Sequence, residues 1–411
     1  MLKCGLLGEK LTHSYSPLIH KELGDYQYDL FEVTPDELAH FIGSSPFHGL
    51  NVTIPYKQSV IPYCDQLSPA AHAIGSVNTI VRQAEGSLYG DNTDAAGFLQ
   101  LLKMSGIEVK GKKVLVLGSG GSSLTACHVL KEQGAAEIIV ISRNGVHNYD
   151  NIDRHHDSQV IVNTTPVGMY PNNGKSPVCL QAFKNLSGVV DLIYNPHKTA
   201  FLIQAQSLDI PHIGGLPMLV AQAAVASELF TGKTIMNKQI DNIIAQIKKA
   251  TQNIILIGMP GSGKTTIGRS LAKLIGRKFV DTDQEIEVQI GRSIPDIFTS
   301  EGEKMFRKYE AKVIKKIGAS SGVIIATGGG CVTTPENYVS LCQNGIILFL
   351  DRQLNLLDRT DRPLSKGDLS EMYQQRQPLY EQFADETVIN DTTVEQVVEN
   401  ILEAIDEIIN R

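Results

Sequence analysis

Short apolar runs recur along the chain, separated by stretches whose apolar positions return every three or four residues. This alternation of strand and helix is the pattern of α/β domains built on parallel sheets. The runs are Lys3 to Leu7, Leu50 to Ile54, Val114 to Leu117, Ile138 to Ile141, Val160 to Asn163, Val189 to Ile193, Ile254 to Ile257, Lys278 to Val280, Val323 to Ala326 and Ile346 to Leu350. Two of them open directly into glycine-rich turns, Gly118-Ser119-Gly120-Gly121 and Gly258 to Gly263, so two nucleotide sites are expected. Residues Gly232 to Gln252 are rich in Lys, Gln, Asn and Ile and predict a helix that hands over to the strand Asn253 to Ile257. The main boundary is expected near residue 250, with a short or helical linker because no Pro/Gly/Ser-rich spacer is present. At the far end, Val394, Val397, Val398, Ile401, Leu402, Ile405, Ile408 and Ile409 form a core-facing helical stripe.

Composition changes this picture little. The 411 residues, 42% hydrophobic and 20% charged, describe a soluble folded protein with two or three cores. A net charge of −7 excludes the basic footprint of a nucleic-acid binder. The longest apolar runs fall far short of the ~20 residues that span a bilayer, and Met1 to Lys10 lacks a signal-peptide core, so no membrane partner is expected. Cys4, Cys64, Cys127, Cys179, Cys331 and Cys342 are scattered without zinc-type spacing, which suits a reduced, cytoplasmic protein.

The second half carries the more specific chemistry. Gly258-Met-Pro-Gly261-Ser262-Gly263-Lys264-Thr265-Thr266 fits G-x-x-x-x-G-K-[ST] between a strand and a helix, the context a P-loop requires. Its backbone N–H groups converge on phosphates, Lys264 supplies a point charge at the β and γ positions, and Thr265 completes a Mg²⁺ shell. Asp281-Thr-Asp283 places two carboxylates at a strand end, where one can hold Mg²⁺ through water and the other can orient a hydroxyl. Gly302-Glu-Lys-Met-Phe306-Arg307-Lys-Tyr-Glu310, Gly328-Gly329-Gly330, Arg362-Pro363-Leu364 and Arg376-Gln-Pro-Leu-Tyr380 follow in order. Together these motifs resemble shikimate kinase across residues 253 to 411. The resemblance implies that Asp283, Arg307, Gly329, Gly330 and Arg376 hold shikimate, the arginines gripping its carboxylate. It also implies that Asp283 orients the attacking hydroxyl, that Asp281 and Thr265 serve the metal, and that Arg362 is the lid arginine over ATP. Only two residues separate Arg359 from Arg362, a lid shorter than the family pattern.

In the first half, Gly118-Ser119-Gly120-Gly121-Ser122-Ser123 partly matches G-x-G-x-x-[GA] and lies between two runs at βαβ spacing, which points to a dinucleotide fold. Arg143, where an NAD enzyme places an acid, favours the 2′-phosphate of NADP. Upstream and downstream lie Ser14-Tyr-Ser16-Pro17, Asn51-Val-Thr53-Ile-Pro-Tyr-Lys57, Gly75-Ser-Val-Asn78-Thr79, Gly90-Asp-Asn92-Thr-Asp94, Asn163 to Met169, Asp191-Leu-Ile-Tyr194 and Gly215-Leu-Pro-Met218-Leu-Val-Ala-Gln222. This series resembles shikimate dehydrogenase over residues 1 to about 245. The resemblance implies a Lys57–Asp94 catalytic dyad, Ser14 and Ser16 on the substrate carboxylate, and Asn51, Thr53, Asn78, Tyr194 and Gln222 around the ring. It further implies Gly118, Gly120, Gly121, Ser122 and Arg143 on the cofactor, with Gly215 and Met218 beside the nicotinamide. The segment Ser142 to Gln159 is too irregular for a full helix, and only Ser142-Arg143-Asn144 remains of the family's N-R-T turn.

The expected architecture is therefore α/β: a two-lobed dehydrogenase followed by a P-loop kinase with a parallel sheet flanked by helices. The dehydrogenase comprises a substrate lobe of 1–103 plus 215–250 and a Rossmann-like NADP lobe of 104–214; the kinase occupies 253–411. The expected activity is bifunctional: NADPH-dependent reduction of 3-dehydroshikimate to shikimate, then Mg²⁺- and ATP-dependent phosphorylation. The alternatives are an NAD-dependent quinate/shikimate dehydrogenase in the first half, or a ligand sensor that retains both folds without turnover.

Overall fold

Every apolar run named above becomes a strand, with ends within a residue or two of those expected. The computed structural model describes residues 1–11, 14–357 and 369–410. They fall into two compact units, Met1–Tyr194 with Phe201–Ile244, and Asn195–Ala200 with Ala245–Arg411. The sequence pattern gives no hint that Asn195–Ala200 belongs with the second unit.

Two sheets build the first unit. Strands β1 (Lys3–Gly8), β2 (Gln27–Glu32), β3 (Gly49–Val52), β4 (Gln66–Leu67), β5 (Thr79–Arg82) and β6 (Leu88–Asp91) form a sheet in the order β2-β1-β3-β5-β6-β4. It is mixed rather than parallel: β5 runs antiparallel to both β3 and β6. Periodicity missed β2 because it is an edge strand with no buried residue and three polar ones, and missed β5 and β6 because each spans only four residues with polar positions included. Strands β7 (Lys113–Leu117), β8 (Glu137–Ile141), β9 (Val160–Asn163), β10 (Gly188–Asp191) and β11 (His212–Ile213) form a wholly parallel sheet in the order β11-β10-β9-β7-β8. The chain turns to opposite sides of β7, so the turn at Gly118 marks the switch point where doubly wound sheets bind ligands.

In the second unit, β12 (Asn253–Ile257), β13 (Phe279–Asp281), β14 (Ile324–Ala326), β15 (Gly345–Asp351) and β16 (Glu386–Ile389) form a parallel sheet in the order β13-β14-β12-β15-β16. Strand β12 is buried throughout, as expected of a central strand covered on both faces. The final helix, Val394–Asn410, sets Val397, Val398, Ile401, Ile405 and Ile409 into this core, fulfilling the stripe seen in the sequence. No described helix is long and apolar enough to cross a membrane.

Candidate active sites

Two helices of the first unit bring distant residues together. Thr93–Ser105 and Leu216–Thr231 pack closely at Gly97, where a Cβ would lie 2.7 Å from the Met218 carbonyl oxygen and 2.9 Å from Gln222 Cβ. Asp94 lies in the first turn of one helix, next to Thr93, and Gln222 Oε1 on the other lies 3.5 Å from both Thr93 Oγ1 and Asn78 Nδ2. Lys57 approaches from the loop after β3, and its own carbonyl accepts the Val77 N–H at 2.7 Å. Its Nζ meets Asp94 Oδ2 at 2.6 Å, with side-chain exposures of 21% and 12%. The carboxylate fixes the ammonium in place, and the remaining N–H bonds of Lys57 are available to a reactant.

Behind this pair lies a buried network of neutral groups. Asn51 Nδ2 donates to Thr79 Oγ1 at 3.2 Å, and Asn51 Oδ1 accepts from the Tyr28 hydroxyl at 2.8 Å. The Thr93 N–H donates to Asn78 Oδ1 at 2.7 Å, and Asn78 Nδ2 reaches Gln222 Oε1 at 3.5 Å. Ser16 is buried at the start of the helix Ser16–Leu23 and its N–H donates to Ser14 Oγ, while burial holds the Tyr28 phenol well above its ordinary range. Tyr194 stacks at a tilt on Tyr15, ring centres 5.5 Å apart, and its hydroxyl is also raised by burial. Thr53 follows β3 and is half-buried. Tyr28, Thr79 and Thr93 are members of the network that motif reading left out. Thr79 adjoins the apolar Ile80-Val81, which was the available signal for it; Thr93 stands in the polar run Asp91-Asn92-Thr93-Asp94 and had none.

The switch point of the parallel sheet suits a dinucleotide. The helix Gly121–Glu132 starts at the Gly120 N-cap, with Ser122 in its first turn, and a Cβ at Gly120 would meet nothing within 4 Å. Open backbone at a helix N-terminus is where a pyrophosphate can approach. Gly118 N–H donates to the Ile141 carbonyl at 2.8 Å, tying this turn to the end of β8, just before exposed Arg143. Gly215 caps the helix that carries buried Met218.

In the second unit, positive φ at Gly258, Gly261 and Gly263 curls the chain between β12 and the helix Lys264–Ile275. Lys264 is buried, its Nζ donating to the carbonyls of Gly258 at 2.9 Å and Met259 at 2.8 Å. Asn390 donates to the Ser262 carbonyl, and Thr266 follows in the first helical turn. Thr265 Oγ1 donates to Asp281 Oδ2 at 2.8 Å, a hydroxyl and a carboxylate that fit Mg²⁺ held together with phosphates. Asp281 also caps the helix Thr282–Ile290 by accepting the Asp283 N–H at 3.0 Å.

Arg307 lies between two acids, donating from Nη1 to Glu310 Oε2 at 2.8 Å and from Nη2 to Glu303 Oε1 at 2.9 Å. A Cβ at Gly330 would overlap the Arg307 guanidinium, so a larger residue there would shift that side chain from its present seat. Arg376 donates to the Gly329 carbonyl at 3.2 Å, which brings Asp283, Arg307, Gly329, Gly330 and Arg376 to one end of the sheet. Arg362, with Arg359 beside it, lies outside the described residues. Glu310, missing from the candidate residues, is fully buried, and burial lifts its carboxyl to about 7 while Arg307 pulls it down. Its spacing of three from Arg307 on a helix was the available clue.

This pairing predicts a pH-dependent stability defect. Arg307→Ala strips a buried carboxyl of its partner and should cost about 3 kcal/mol at pH 8. A folded-state pKa near 7, against an ordinary 4.5, means the folded form retains a proton that the unfolded form has lost. The parent's stability therefore falls as pH rises through that window. Without Arg307, which pulls the carboxyl down, the folded-state pKa rises further, so the variant loses more above pH 7. At pH 5, where the carboxyl is protonated in both folded forms, the defect should be small. Urea unfolding of variant and parent at both pH values checks this; equal losses would contradict it.

Comparison with known proteins gives two assignments. Residues 6–80 match the family described as shikimate dehydrogenase substrate binding domain, and residues 260–406 match the family described as shikimate kinase. The shikimate dehydrogenase (NADP(+)) of Clostridium perfringens (strain SM101 / Type A) is 34% identical over 265 residues, covering 59% of this chain and 97% of that protein. A chorismate mutase/shikimate 5-dehydrogenase fusion protein from Clostridium acetobutylicum is similar in structure, with TM-score 0.57 and 39% identity over 59% of this chain and 95% of the other. Shikimate 5-dehydrogenase from Thermus thermophilus, solved with NADP(H) and shikimate, has TM-score 0.54 and 32% identity over 59% of this chain and 98% of its own.

Proposed function

The chain belongs to the shikimate dehydrogenase family and carries a shikimate kinase domain after it, and on that footing we propose how its residues divide the work. It is a bifunctional enzyme of the shikimate pathway that reduces 3-dehydroshikimate with NADPH and phosphorylates shikimate with ATP and Mg²⁺. When bound, NADPH supplies a hydride and Mg²⁺-ATP a phosphoryl group.

Lys57 gives its proton to the substrate carbonyl oxygen as the alcohol forms, and Asp94 holds the ammonium at the donating position. The single observation that carries this reading is the 2.6 Å Lys57–Asp94 pair in front of a wall of uncharged hydrogen-bonding side chains. Ser14 and Ser16 take the carboxylate, while Asn51, Thr53, Asn78, Tyr194 and Gln222 meet or border the ring. Gly118, Gly120, Gly121 and Ser122 receive the pyrophosphate, Arg143 the 2′-phosphate, and Gly215 with Met218 border the nicotinamide.

In the kinase, Arg307 and Arg376 grip the carboxylate of shikimate beside Gly329 and Gly330, and Asp283 accepts the proton of the attacking hydroxyl. Gly261, Ser262, Gly263, Lys264, Thr265 and Thr266 surround the phosphates, and Asp281 with Thr265 serves the metal. We assign the lobes as 1–103 with 215–250, 104–214, and 253–411; the separate β1–β6 and β7–β11 sheets support the first division. A cytoplasmic setting is supported by six free cysteines.

A coupled assay starting from 3-dehydroshikimate, NADPH, ATP and Mg²⁺ tests the whole reading. NADPH loss and ADP formation are expected in the same tube, with ADP dependent on prior reduction. Reduction without any ADP would sink the kinase assignment.

A further inference from the structure

The second unit has a cavity at the end of its sheet opposite the P-loop. The buried part of its lining is Ile254 of β12, the register partner Ile346 of β15, and Ile405 of the final helix, each 3% exposed. Ile275 and Leu402 complete the apolar wall and pack on the same core. The P-loop motif begins at Gly258, beyond the far end of β12, so it lies roughly 13 Å along the strand from Ile254. At about 370 Å³ the cavity is of the size that takes small molecules.

The charges that line it are all positive. Lys248, on the helix Asn237–Thr251, and Arg277, just past the helix Lys264–Ile275, both face the cavity, and no Asp or Glu among the described residues does. Lys248 Nζ donates to the Ile409 carbonyl at 3.4 Å, and Arg277 Nη1 to the Gln252 carbonyl at 3.0 Å. Neither cation forms an ion pair among the described residues, in contrast to the adjacent Lys249, whose Nζ meets Asp406 Oδ1 at 2.6 Å. Burial lowers the pKa of Lys248, with repulsion from Lys198 added, and burial lowers that of Arg277. A half-buried cation without a counter-charge is costly, and an anion set between the two would relieve both. The aliphatic walls, for their part, offer no hydrogen-bond partner to hydroxyl groups or sugars, which selects against shikimate and nucleotides and for an apolar body.

We propose that this cavity is a binding site for a small monocarboxylate with an apolar body, its carboxylate on Lys248 and Arg277 and its ring or branched chain against Ile254, Ile346 and Leu402. Such a ligand touches the helices Asn237–Thr251 and Val394–Asn410 and the starts of two strands at once, so its binding stabilises this unit.

Equilibrium dialysis of radiolabelled phenylacetate and 4-methylpentanoate against the full chain tests this. Both acids should bind, and phenylacetamide, the neutral isostere, should compete at least about tenfold more weakly than phenylacetate. Lys248→Met and Arg277→Met should each weaken phenylacetate by about tenfold, and Lys248→Arg should restore most of the affinity. All three variants should keep the parent's dehydrogenation and phosphorylation rates, which shows that they fold. Saturating shikimate with Mg²⁺-ATP should not displace phenylacetate, because those ligands belong to the other end of the sheet and to the first unit. In the parent protein the ammonium of Lys248, followed by ¹³Cε NMR, should titrate at higher pH once phenylacetate is bound, since an added negative charge favours its protonated form. Competition by the amide as strong as by the acid, displacement by shikimate, unaltered binding in both methionine variants, an unmoved Lys248 titration, or no binding of either acid overturns the proposal.

Discussion

Lys57→Ala is expected to lower the rate of shikimate oxidation and of 3-dehydroshikimate reduction by about 10²–10⁴-fold, the range for losing a positioned proton-transfer group. The reason is geometric. Asp94 holds Nζ at 2.6 Å, and the network of Asn51, Asn78, Thr79, Thr93 and Gln222 is uncharged, so it has no acid to take over the proton. Phosphorylation of added shikimate should be unchanged, because Lys57 and Asp94 lie in the first unit and the P-loop in the second. Nicotinamide absorbance and ADP release, followed on the same preparation, give both readings. Phosphorylation lost along with oxidation would show that the two sites depend on one another.

Lys264→Ala is expected to produce the opposite pattern, with phosphorylation down by about 10³-fold and dehydrogenation intact. Lys264 is the one charge in the P-loop motif from Gly258 to Thr265, and it is buried against the Gly258 and Met259 carbonyls. Removing it takes away the cation we assign to the transferred phosphoryl group and also leaves two carbonyls without this donor, which adds about 1–3 kcal/mol of local destabilisation. Thermal unfolding beside the rate measurement separates these effects. A variant that retains most of its kinase rate would refute the assigned role, whatever its stability.

Much of both sites was legible in the residues. Lys57 and Asp94, or Asp283 and Arg307, belong to motifs whose residue types and order already name a chemistry. Less legible were the residues that support them. Glu310 and Thr93 stand in quoted motifs but have no chemistry of their own, and their importance follows from burial: one carboxyl at 0% exposure against Arg307, one hydroxyl at 1% between Asn78 and Gln222. The segment 142–159 has no helical period in its sequence and forms no α-helix in the fold. Its order comes from side-chain hydrogen bonds of Asn148 and Asn151 to the backbone, which leave no periodic trace in a sequence.

By itself, the sequence determined the two glycine-rich turns that follow apolar runs, the strand–helix alternation and the motifs of the two families. Each of these is encoded locally, in a glycine turn after an apolar run or in a short polar motif. Tertiary structure alone decided the antiparallel turn of β5, the grouping of Asn195–Ala200 with the second unit, and the approach of Gln222 to Asn78 and Thr93. These depend on which surfaces bury each other between segments far apart in the chain. Strand direction and the helix contact at Gly97 are settled by packing and by satisfying buried polar groups, and no short window of sequence shows which partners meet.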